Sequence, residues 1–84
     1  MSTPAEKTAY QMFIELGFKK DVYGPLIIFE RKADMITTRV AFHRMNKRYY
    51  VQDMINHSDV SRTEVEIGLH KAIDQQMKEL GWIK

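Results

Sequence analysis

The sequence predicts one α+β domain spanning residues 1–84: helix, three strands, helix, with the strands forming an antiparallel meander and both helices on one of its faces. Three observations carry this. Apolar residues recur at helical spacing near both ends, the middle of the chain alternates with a period of two, and the words "FIELGFKK" and "MKELGWIK" place one stop pattern after each helix.

The first helix is expected over Pro4 to Leu16. Thr3 is placed to cap free amides, Pro4 has no amide to satisfy at the first helical position, and Glu6 can complete a capping box. Ala9, Met12, Phe13 and Leu16 then fall on one stripe. Gly17 stands where a left-handed residue ends a helix, and Phe18 where a hydrophobic side chain folds back over the last turn.

The middle reads as two consecutive hairpins built from "PLIIFERK", "MITTRVAFHRM" and "RYYVQDMI", with turns in "KAD" and "MNK". A turn at Ala33-Asp34 sets Phe29 opposite Thr38 and Ile27 opposite Val40. A turn at Asn46-Lys47 sets Phe42 opposite Val51 and Arg44 opposite Tyr49. One face then carries Ile27, Phe29, Ile36, Val40, Phe42, Val51 and Ile55, the core side. The other carries Leu26, Ile28, Glu30, Thr37, Arg39, Ala41, His43, Arg48, Tyr50 and Gln52, a mixed set.

In the last segment Leu69, Ala72, Ile73, Gln76, Met77 and Leu80 form the second stripe, with Gly81 as stop and Trp82 as its closing aromatic. The start of this helix is open. "SRTE" reads as a capping box at Ser61, while Val65 and Ile67 alternate like a strand and Gly68 disfavours an early start. The two ELG words are thus a shared structural need, and their flanks show no repeat. A three-stranded meander with one apolar face cannot stand alone in water, and the two helices supply the matching stripes.

A chain of 84 residues buries about 60–65% of its unfolded surface, so most large apolar side chains are needed for packing. Cysteine is absent, which excludes disulfides, thiolate catalysis and cysteine-bound zinc. With no apolar run of about 18 residues and no leader pattern, a cytoplasmic protein that does not enter the membrane is expected. The overall charge of +2 is unevenly spread. Lys19 to Arg48 holds eight basic and three acidic residues, while the rest holds five and eight, so the centre is positive and the ends negative.

No residue set dictates a chemistry. His43, His57 and His70 lack metal-site spacing, so no metal and no cofactor are expected. "INHSDVS" places His57, Ser58 and Asp59 together, but a nucleophile, base and orienter are assembled in space and seldom from neighbours in a loop. Glu64 and Glu66 suit a helix start, Asp74 suits a solvated helix face, and the four glycines build no phosphate loop. Met12 and Met77 lie on core stripes, where methionine fills space. The chain is therefore expected not to be an enzyme.

Two binding surfaces compete. The outward sheet face offers Leu26, Ile28, Arg39, His43, Arg48 and Tyr50, a mixture of apolar, aromatic and arginine groups typical of protein interface centres. The second hairpin, "RVAFHRMNKRYY", offers Arg44, Lys47, Arg48 and Tyr49, cations for phosphates beside a ring for stacking. The bland reading of that tip is a solvated turn whose charges keep an edge strand from aggregating.

The pairing of "AYQMFIELGF" with "LHKAIDQQMKELGWI" around an aromatic-rich middle resembles small uncharacterised proteins of phages and prophages of Gram-positive bacteria, over nearly the whole chain. That resemblance implies an accessory, host-modulating protein in the bacterial cytoplasm, and no mechanism. The element order also resembles the double-stranded-RNA-binding domain and HicA-like toxins, but "SRTEVE" is acidic where the former carries a lysine cluster. Gly24-Pro25-Leu26 stands where the latter carries Gly-Ser-His, so the general base is missing. The expectation is a non-enzymatic protein-interaction module with a host or phage protein as partner, self-association through the outward face being one form of it. Nucleic-acid binding through the basic hairpin is the alternative.

Overall fold

A computed structural model describes residues 7–55, 58–59 and 64–83. The described elements are α1 (Ala9–Glu15), β1 (Lys19–Tyr23), β2 (Leu26–Ala33), β3 (Ile36–His43), β4 (Arg48–Ile55), β5 (Ser58–Asp59) and α2 (Ile67–Glu79). The strands form one antiparallel meander in the order β1-β2-β3-β4-β5. The α+β class holds, but among the described residues the sheet has four main strands and two residues of a fifth where three strands were expected.

Sequence reasoning missed β1, and also β5, whose Ser58 and Asp59 were expected in a loop and pair with Ile55 and Met54. In β1 "KKD" has weak strand propensity, and all five residues of the strand are exposed, as suits a charged sheet edge. Gly24, at φ +57, turns the chain so that Tyr23 pairs with Leu26. Helix α1 begins later than expected. Lys7 and Thr8 are not helical, and Thr8 is the cap: its hydroxyl accepts from the Gln11 amide at 3.2 Å while the Gln11 side chain accepts from the Thr8 amide at 3.0 Å. The Ala9 amide donates to Glu79 Oε2 at 2.7 Å, so the end of α2 also caps the start of α1. Thr3, Pro4, Glu6 and the capping box at Ser61 lie outside the described residues.

Both helix stops close as the ELG words require. Phe18 N–H donates to Phe13 C=O and Gly17 N–H to Ile14 C=O; Trp82 N–H donates to Met77 C=O and Gly81 N–H to Lys78 C=O. Gly17 and Gly81 hold φ of +94 and +78, the left-handed geometry this double bond pattern demands.

Both hairpin registers differ from expectation by two residues. Phe29 pairs with Val40 and Ile27 with Phe42; Val40 pairs with Val51 and Phe42 with Tyr49. In the first hairpin Asp34 takes the left-handed turn position at φ +56, which Asp accepts and Ala33 resists. In the second, the Arg44 amide and guanidinium turn to the Pro25 and Gly24 carbonyls, which takes Arg44 out of the ladder it was expected to share with Tyr49. A shift of two residues preserves each face, so the division into core and outward sides survives.

The core joins Phe13 and Phe18 from α1 and its stop, Ile27, Phe29, Val40 and Phe42 from the sheet, and Leu69, Ala72 and Ile73 from α2. Phe13 stacks on Phe29 at 3.9 Å between centroids, and Phe42 meets both edge-on. Ile36 and Ile55, expected in the core, pair on the correct face but are 42% and 40% exposed. The seven residues of α1 reach only about 10 Å, against roughly 26 Å for an eight-residue strand.

Candidate binding face

The register determines which outward side chains are neighbours. Tyr23, Leu26, His43 and Arg48 form one row across β1 to β4; Asp21, Ile28, Ala41 and Tyr50 the next; Lys19, Glu30, Arg39 and Gln52 the third. Both helices pack against the other side of the sheet, through Phe13, Leu69 and Ile73. Ile28, Ala41 and Tyr50 therefore form a small apolar centre, with Ala41 fully shielded by its neighbours and Tyr50 41% exposed. Two open hollows lie on one side of this centre, toward the third row and beyond it, and share Glu30, Lys32 and Thr37; one of them reaches Ile28.

Arg39 is the most constrained charge here. Its Nε and Nη2 lie 2.6 and 2.5 Å from Glu30 Oε2. The hydrogen bond from Glu30 raises the already high pKa of Arg39, partial burial opposes that rise without cancelling it, and Tyr50 adds a further hydrogen bond. A guanidinium held by a carboxylate is oriented before any partner arrives, which lowers the entropy lost on binding. His43 lies beside Tyr50 with ring centroids 6.3 Å apart, as the sequence suggested, although its direct strand partners are Leu26 and Arg48.

All six residues of the expected protein-binding set thus share one face: Leu26, Ile28, Arg39, His43, Arg48 and Tyr50. The nucleic-acid set does not converge. Arg44 is tied to the carbonyls of Gly24 and Pro25, Lys47 sits in the turn at φ +54, Arg48 points outward, and Tyr49 lies on the opposite face, stacked on Phe42 at 5.7 Å.

Sequence reasoning missed what β1 adds: Lys19, Asp21 and Tyr23, with the Tyr23 hydroxyl donating to Asp21 Oδ2 at 3.3 Å. The signal available was Val22-Tyr23 directly before the Gly24-Pro25 turn. Among the described residues, no three of histidine, aspartate and glutamate converge as a metal site would require, and no helix is long and apolar enough to cross a membrane. Compared with protein-family models, curated proteins and solved structures, the chain matches none.

Proposed function

We propose that this chain is a non-enzymatic protein-interaction module whose contact surface is the outward sheet face. The observation that supports it most is the row Ile28, Ala41, Tyr50, an apolar strip flanked by a pre-oriented Arg39 on the side of the sheet away from the helices. The cations of this face, Lys19, Arg39 and Arg48, are interspersed with Asp21 and Glu30, and Glu30 already engages Arg39, so the face offers no unbroken row of positive charge to a phosphate backbone, which favours protein over nucleic acid as the ligand. An accessory, host-modulating role in a phage or prophage rests on the sequence resemblance alone.

The test is capture by the tagged full chain from lysate containing an untagged copy, with nuclease treatment and a salt titration. Protein that survives nuclease and is lost on Tyr50→Ala and Arg39→Ala supports the reading. Retention of nucleic acid alone, falling with salt and lost on Lys47→Ala with Arg48→Ala, overturns it.

A further inference from the structure

The outward face is complementary to itself. We propose that its occupant is a second copy of this chain, docked face to face about a two-fold axis that runs parallel to the strands between β2 and β3. Such an axis exchanges β2 with β3 and β1 with β4, so every row meets its own reverse. Glu30 then faces Arg39 of the second copy, and Arg39 faces its Glu30. Ile28 faces the side chains that cover Ala41, Asp21 faces Tyr50, and Tyr23 faces Arg48. These pairings follow from the observed register, and none sets like charge against like.

An axis across the strands at the third row would stack Glu30 on Glu30, Arg39 on Arg39 and Lys19 on Lys19, a repulsion that costs specificity outright. Aligned sheets pack about 10 Å apart with interdigitated side chains, and the partly exposed Ile28 and Tyr50 stand on either side of the shielded Ala41 to make that contact. Three strands of eight residues and the five-residue β1, at about 4.8 Å spacing, cover roughly 14 by 26 Å plus a strip of roughly 5 by 17 Å. That footprint of roughly 450 Å², before side-chain relief, is smaller than the area of about 800 Å² per partner that a standard interface buries, so side chains at the rim must contribute the rest.

The inference rests on the protein-contact reading of this face, and the experiment separates the two. Sedimentation velocity of the full chain is run over a concentration series for wild type, Arg39→Glu, Glu30→Arg, and the equimolar mixture of the two variants, with circular dichroism melts confirming that each folds. The pairing predicts a wild-type dimer. Each single variant faces itself with four like charges and is expected to self-associate at least tenfold more weakly, while the mixture regains a heterodimer. A purely structural role for the Glu30–Arg39 pair would not be rescued by mixing. A wild-type chain that stays monomeric overturns the second copy as occupant, and nuclease-resistant capture of a different protein through Tyr50 and Arg39 would then leave the protein-contact reading standing. A wild-type dimer whose variants remain dimeric, or a mixture that stays monomeric, overturns the proposed pairing. If either variant fails to fold, Tyr50→Ala serves as the second test, and an undiminished dimer contradicts the proposal.

Discussion

Arg39 and Glu30 are cross-strand neighbours, with two guanidinium nitrogens converging on one carboxylate oxygen at 2.6 and 2.5 Å. The pair is partly exposed, so its contribution to folding is expected to stay below about 1 kcal/mol. Arg39→Ala should therefore lower the melting temperature by no more than about 4–8 °C while removing partner capture. A large loss of stability would show that the pair serves the fold before it serves binding.

Arg31 predicts the opposite behaviour. Its Nη1 donates to the Leu16 carbonyl at the end of α1, its Nη2 reaches Glu66 Oε1 at the start of α2 at 2.8 Å, and its guanidinium lies 4.6 Å from the Phe18 ring centre. One side chain thus joins both helices to β2. Arg31→Ala should cost about 1–2 kcal/mol by thermal or urea melt, with capture by the outward face intact. Arg31→Lys should recover little, because a single ammonium cannot span both partners.

The two helix stops give a third prediction. Gly17→Ala and Gly81→Ala each place a Cβ at positive φ, although a Cβ would meet no close obstacle at either site. The cost is backbone strain alone, about 1 kcal/mol each. As the stops belong to different helices, the double variant should lose close to the sum in a denaturant melt.

Trp82 folds over the second stop against Phe42, with centroids 6.1 Å apart, and is partly buried. Trp82→Ala should cost about 2–3 kcal/mol, a large share of the stability of so small a domain. An unchanged melt would remove Trp82 from the core.

The helix stops, the period-two middle and the two faces of β2, β3 and β4 were legible in the sequence because each rests on a local rule that residue type obeys. The ELG words are the clearest case, since left-handed glycine and a closing aromatic appear at both ends. The registers were not legible, because Arg44 leaves its ladder for carbonyls some twenty residues away. Edge strand β1 was hidden by its charges, and with it went one of the four residues in each outward row. The first helix was expected to include Lys7 and Thr8, but the Thr8–Gln11 capping box and the bond from the Ala9 amide to Glu79 fix the start at Ala9, and the second of these depends on a residue seventy positions away. The outward face was found because a two-residue register error does not exchange faces.

Methyl NMR of the full chain during association, by raising its own concentration or by adding the captured partner, locates the contact surface. Shifts or broadening are expected at Leu26, Ile28 and Ala41, with Ile14, Ile67 and Ile83, exposed on the helices and beyond α2, unaffected. Changes confined to those helix-side methyls, with Leu26 and Ile28 unmoved, would contradict the outward sheet face as the contact surface.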